Sequence, residues 1–186
     1  MSTPAPPQPS RYSLGSTKNL LYSLLAVVGI MVLLVLLVPR VNSISGPPVD
    51  IHASAVAVQQ ESGWPIVEAK GLPEGWSATS ARYVRATGDF MTWHAGYQTP
   101  SGTYVAVEQT MNPTQAWIEA QTNRAPTEGR MEVAGKSWAK LVRDTKTQNS
   151  LLYHPDDPNE LTTLVTGTAT FEDMAFFIEH LQPVAG

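Results

Sequence analysis

The amino-acid sequence predicts an α+β protein: an N-terminal transmembrane helix, then a mainly antiparallel sheet with flanking helices, forming an α/β sandwich. Three observations carry that expectation. Leu20 to Val38 is a run of 19 residues without a charge. Beyond it, three pairs of short β-patterned segments are each joined by a few turn-forming residues, and strands joined that way pair antiparallel. Residues 170–181, TFEDMAFFIEHL, put Phe171, Met174, Phe177, Ile178 and Leu181 on one apolar helical stripe, which needs another layer to cover it.

The apolar run comes first. As a helix its 19 residues span roughly 28 Å, against ~30 Å of bilayer hydrocarbon. No polar face exists anywhere along it, which excludes a buried core helix. Arg11 and Lys18 precede it and Arg40 follows; from there to Lys70 no further Lys or Arg occurs, while Asp50, Glu61 and Glu68 appear. That bias predicts a single-pass cell-membrane protein with a cytoplasmic N-terminus, an extracytoplasmic C-terminal domain, and the lipid bilayer as partner of Leu20 to Val38. Cleavage is the alternative. Ser43-Ile44-Ser45 before Gly46 has the small-residue spacing of a signal peptidase site, although signal h-regions run only ~7–15 residues. The predicted organisation is a cytoplasmic tail over 1–19, the transmembrane helix over 20–38, a Pro/Ser/Gly linker over 39–49 and the extracytoplasmic α+β domain over 50–186.

Within that domain Asp50 is placed to cap a helix running to Glu61, ended by Gly63. Residues 64–69, WPIVEA, read as an edge or entering strand because Pro65 cannot donate to a ladder. Gly71-Leu72-Pro73-Glu74-Gly75-Trp76 is a turn, and a strand follows from Trp76 to Ala86. Residues 88–110 form the first hairpin. Asn112-Pro113-Thr114 begins a helix to about Thr122, with Asn112 as cap and Pro113 at its first position. Two more hairpins follow, one around Ala134-Gly135 and one around the loop HPDDPN. In the last helix Thr170 and Asp173 resemble a capping box.

Composition narrows the chemistry. Of 12 Lys and Arg, three lie before Val41, where no acidic residue occurs; the remaining 9 face 16 Asp and Glu, a net charge of −7. An acidic domain does not attract phosphate backbones, so no nucleic-acid partner is expected. The chain has no cysteine, which excludes disulfides, thiolate metal sites, a cysteine nucleophile and lipidation at a lipoprotein-type Cys. No nucleotide-binding glycine motif or G-x-S-x-G elbow occurs. The four histidines, at 52, 94, 154 and 180, form no i,i+4 pair, so neither a metal nor a cofactor site is expected. The Asp-rich loop after His154 lacks EF-hand spacing and reads as a solvated hairpin loop. The five tryptophans read as core, with Trp64 and Trp76 also candidates for the membrane surface.

The first hairpin holds the chemical question. Residues 99–102, Thr-Pro-Ser-Gly, suit a type I turn with a left-handed glycine, which fixes the register. It pairs Thr99 with Thr103, Tyr97 with Val105, Ala95 with Val107 and His94 with Glu108. One face then carries Trp93, Ala95, Tyr97, Val105 and Val107 as a core stripe, and the other His94, Gly96, Gln98, Tyr104, Ala106 and Glu108. A cross-strand His94–Glu108 pair is the chain's candidate for a general base with its orienting carboxylate; the competing reading is ordinary sheet stabilisation of ~0.2–1 kcal/mol. Gly96 opposite Ala106 leaves a shallow trough beside Tyr104, a candidate ligand site or the seat of a covering helix.

Gly71-Leu72-Pro73-Glu74-Gly75-Trp76, Ser80-Ala81-Arg82, Trp93-His94-Ala95-Gly96-Tyr97 and Glu108-Gln109 resemble an actinobacterial single-pass membrane protein family, domain of unknown function 4245. The resemblance implies an envelope location and brings no catalytic residues. Pro73-Glu74-Gly75-Trp76 and the order of elements are also similar, at fold level, to Mog1/PsbP-like domains. The expected function is a non-catalytic binding or interaction module of the cell envelope, taking an envelope protein or a small ligand. The alternative is an envelope hydrolase or other enzyme centred on His94 and Glu108.

Overall fold

The computed structural model describes residues 17–37, 49–143, 145 and 147–185. The chain divides into two units, 1–45 and 46–186. Most of the predicted tail and linker, with the Ser43–Ser45 cleavage site, lies outside the described residues.

The described part of the first unit is the helix α1, Thr17–Leu37, beginning slightly before the predicted apolar run. Its side chains are described from Lys18 to Leu34, and the large apolar ones between Leu20 and Leu34 are all exposed. Among the described residues no helix is long and apolar enough to cross a membrane.

The second unit is α+β. It runs α2 (Ile51–Ser62), β1 (Val67–Ala69), β2 (Ser77–Arg85), β3 (Met91–Gln98), β4 (Tyr104–Met111), α3 (Gln115–Gln121), β5 (Thr127–Val133), β6 (Lys136–Arg143), β7 (Gln148–Tyr153), β8 (Leu161–Gly167), α4 (Phe171–Glu179) and β9 (Leu181–Pro183). Seven strands form one antiparallel sheet in the order β2-β3-β4-β8-β7-β6-β5. Two meanders therefore meet at the β4–β8 seam. From β4 the chain must cross to the far edge before β5, and α3 is laid over one sheet face by that crossing.

The caps explain the helix limits. The Asp50 carboxylate accepts from the Ala53 N–H at 2.8 Å, and Gly63 closes α2 in the left-handed conformation at φ 72°. Thr170 caps α4: its Oγ1 accepts from the Asp173 N–H at 3.1 Å, and its hydroxyl donates to Asp173 Oδ2 at 3.0 Å, a side-chain pairing in place of the capping box's bond to the Thr170 N–H.

Three boundaries depart from expectation. Asn112 does not cap α3: it sits at φ 45° with its amide donating to the Pro158 carbonyl, and Thr114 holds the cap position. The strand expected over 64–69 shrinks to Val67–Ala69. It joins a separate two-stranded sheet with β9, whose first residue, Leu181, the apolar stripe predicts as the end of the last helix. The domain thus has two sheets rather than one. Three residues ending in Pro183 carry no β pattern of their own, and pairing across the domain makes them a strand.

Each face of the large sheet has its own core. One packs Trp93, Ala95, Tyr97, Val105, Val107, Leu151 and Val165 beneath α2, α4 and the residues around β1 and β9. The other packs Leu141, Leu152 and Leu164 beneath Trp117 and Ile118 of α3. Full burial of such side chains stabilises by roughly 1.5–3 kcal/mol each. Trp93, Trp117 and Trp138 are buried as expected, while Trp64 and Trp76 are half-buried.

Candidate functional site

The turn at residues 99–102 sets the site. Gly102 takes φ 81° and its N–H donates to the Thr99 carbonyl at 2.9 Å. The resulting register matches expectation: His94 faces Glu108, Ala95 faces Val107 and Tyr97 faces Val105. His94 Nδ1 lies 3.0 Å from Glu108 Oε1, with both side chains largely buried. A carboxylate only accepts, so an ionised Glu108 accepts a hydrogen bond from Nδ1–H, which leaves Nε2 of the neutral ring as an acceptor.

Two hydroxyls converge on that acceptor. Tyr104 Oη is 3.0 Å from Nε2 and Ser80 Oγ is 3.2 Å away. Ser80 comes from β2, the edge strand, where the register shifts between Ala78 and Ser80. Such a bulge re-aims the side chains that follow it, and Ser80 ends half-buried on the His94 face opposite Gly96. In sequence, Ser80 stood out only within the family-like Ser80-Ala81-Arg82; a bulge on another strand leaves no local pattern to find.

The predicted trough above Gly96 is filled from within. A Cβ at Gly96 would collide with the Tyr104 hydroxyl and Ser80 Oγ, so the glycine admits the protein's own tyrosine. Tyr104 is held at its backbone: its N–H donates to Thr168 Oγ1 at 3.0 Å, and its carbonyl accepts from Thr168 and Ala169. Burial raises its phenol pKa. A hydrogen bond with Ser80 and the Arg82 charge oppose that shift, and the Glu108 charge adds to it. Glu108 Oε2 is buried with no hydrogen-bond partner among the described residues, a costly state for a carboxylate oxygen.

The remaining candidates separate. His52 Nδ1 and Lys70 Nζ flank the buried Glu68 at 2.8 and 3.0 Å. His154 bonds Thr162 at 2.7 Å, and His180 donates to the Phe176 carbonyl at 2.8 Å. Among the described residues no three His, Asp or Glu side chains group as metal ligands. In the HPDDPN loop, Asp157 accepts from the backbone N–H and the amide of Asn159, and Glu160 pairs with Lys136 at 2.7 Å. A cleft of about 370 Å³ opens beside α3, lined in part by Glu119, Asn123, Arg124 and Arg143, and shares no residue with the His94 network.

One surface feature was not legible in sequence. Trp76 stacks on both Phe176 and Phe177, with centroids 6.0 and 5.9 Å apart, and Phe176 lies 4.3 Å from the His180 ring. Phe176 is 36% exposed. The 71–76 turn brings Trp76 there, with Gly71 and Gly75 at φ 69° and 93°. A Cβ at Gly75 would stand 3.0 Å from Pro100, so this turn rests against the tip of the first hairpin.

The sequence profile of DUF4245, described as a protein of unknown function, matches residues 13–181. The chain belongs to the DUF4245 family. The membership covers both the His94 network and the aromatic patch and assigns a role to neither. Comparison with curated proteins finds no match. Among solved structures, a chain from the complex structure of Pseudomonas aeruginosa MucA/MucB is similar at 13% identity and a TM-score of 0.40. The match covers 64% of this chain and 35% of that one, a likeness that carries no argument about fold or partner.

Proposed function

We propose that this DUF4245 protein is a single-pass membrane protein whose extracytoplasmic domain is a binding module of the cell envelope. The anchor is supported by the 19-residue uncharged run, which continues past the described side chains to Val38 and which α1 follows as continuous helix to Leu37. Arg11 and Lys18 ahead of it favour a cytoplasmic N-terminus. The Mog1/PsbP-like echo rests on the Pro73–Trp76 turn leading into an antiparallel sheet.

The exposed Phe176, stacked on Trp76 beside His180, carries the binding reading. Aromatic side chains at the edge of a packed cluster are what interface anchors are made of. A photo-crosslinking residue at position 176 is expected to capture an envelope protein that the same residue placed at Glu128, on exposed β5, does not. Equal capture at both positions removes the patch as the contact. A reporter fused after Gly186 is expected to be active only outside the cytoplasm, and cytoplasmic activity reverses the topology.

A second reading, an envelope hydrolase centred on His94 and Glu108, is favoured by one specific observation. Nδ1 of His94 is held by a carboxylate while two hydroxyls meet its Nε2.

A further inference from the structure

Resting on that second reading, we propose that Ser80 is the nucleophile of an ester-hydrolysing centre, with His94 as its base, Glu108 as the positioning carboxylate and the Tyr104 hydroxyl as donor to the oxyanion. Nucleophile, base and orienting group need to lie in hydrogen-bonding sequence. Here the chain of contacts runs Ser80 Oγ to His94 Nε2 at 3.2 Å and His94 Nδ1 to Glu108 Oε1 at 3.0 Å. Three strands supply the three groups, β2, β3 and β4, which fix them through the sheet ladder.

Burial is graded along the three groups: His94 and Glu108 are buried, where their interaction is strong, and Ser80 is half-buried on the edge strand. Tyr104 competes with Ser80 for Nε2 in the resting site. Once Ser80 donates there, the tyrosine O–H is released and stands beside the reacting oxygen. Its backbone is fixed at both N–H and C=O, the preorganisation an oxyanion donor requires.

The reaction balances without a cofactor. Ser80 Oγ bonds to the ester carbonyl carbon as its proton passes to His94 Nε2, and the carbonyl electron pair moves to the oxygen facing Tyr104. Collapse breaks the C–O bond to the alcohol, which leaves with the proton from Nε2. Water, deprotonated by His94, then attacks the acyl-Ser80 carbon; the carboxylic acid departs and Ser80 regains its proton.

The test uses the full-length protein in detergent, with an alkyl fluorophosphonate as covalent probe and p-nitrophenyl butyrate as substrate. Mass spectrometry is expected to place the phosphonyl group on Ser80. Ser80→Ala removes it and abolishes hydrolysis, with an unchanged thermal transition as the folding control. His94→Gln slows labelling by on the order of 100-fold, as loss of a general base does. Glu108→Gln slows it and Glu108→Asp restores part of the rate, both with an unchanged thermal transition; a merely structural role moves the labelling rate only as far as stability moves. Tyr104→Phe retains the label but slows hydrolysis by roughly 10–100-fold. Hydrolysis that needs His94 but not Ser80 overturns the nucleophile and leaves the His94–Glu108 reading standing. Neither label nor hydrolysis above the Ser80→Ala background overturns both.

Discussion

The two faces of the seven-stranded sheet are built from the same strands and solve different problems. On one, β3 and β4 offer Trp93, Ala95, Tyr97, Val105 and Val107, which pack beneath two helices and the small sheet. On the other, alternate residues of those strands offer Thr92, His94, Glu108 and Thr110, all buried. The first face is held by apolar area and tolerates its few polar atoms one hydrogen bond at a time, as when Trp93 Nε1 donates to the Val67 carbonyl at 3.1 Å. The second depends on a network in which each member positions the next. Its coverage comes from the seven-residue α3, from Ala86, Phe90 and Ala125 packed beside it, and from Tyr104 above Gly96.

The comparison can be broken most strongly at Trp93. Trp93→Ala is expected to destabilise the protein by about 3–5 kcal/mol, read as a lowered urea midpoint for the full chain in detergent. A cost under about 1 kcal/mol means that the apolar face does not dominate stability. On the polar face, Gly96→Ala drives a methyl into the Tyr104 hydroxyl and Ser80, at a cost of about 1–3 kcal/mol. Adding Tyr104→Ala is expected to relieve most of that cost; a cycle with no coupling means that Tyr104 does not occupy the glycine's space.

The smallest expected effect sharpens the contrast by pH. Burial pushes the Tyr97 phenol, on the apolar face, up to about 12, with its hydrogen bond from Ala69 opposing and the Glu68 charge reinforcing. Below pH 10 the phenol is neutral in both states. Above it the unfolded chain ionises first, so stability falls from the ordinary value of 10.0 until the folded-state value near 12 is passed. The loss is ~1–2 kcal/mol once partial solvent screening is allowed for. Tyr97→Phe is expected to flatten this alkaline limb, and an unaltered limb assigns it to another group.

Much of the site was legible because hairpin register is a local property. Four residues, Thr99 to Gly102, decide which side chains of β3 and β4 stand opposite one another, so His94 against Glu108 could be read from spacing alone. Ser80 could not. It reaches His94 through a bulge on a third strand, and nothing between residues 76 and 86 marks which residue will be extra. What occupies the trough above Gly96 was not legible for a related reason. Spacing shows that a side chain is missing, but Tyr104 folding across the sheet decides what fills the gap.

By itself the sequence determined the uncharged run of Leu20 to Val38, the caps of α2 and α4, and the three hairpins. Each of these is written in neighbouring residues, through hydropathy, capping chemistry or turn geometry. Only the tertiary structure decided that β4 pairs with β8, that β1 finds β9 at the other end of the domain, and that Ser80 and the Tyr104 hydroxyl reach the His94–Glu108 pair. The two strand pairings join residues far apart in the chain, and the Ser80 contact depends on a bulge in another strand. Burial of two apolar layers stabilises them, and no local pattern encodes which distant strand supplies the partner.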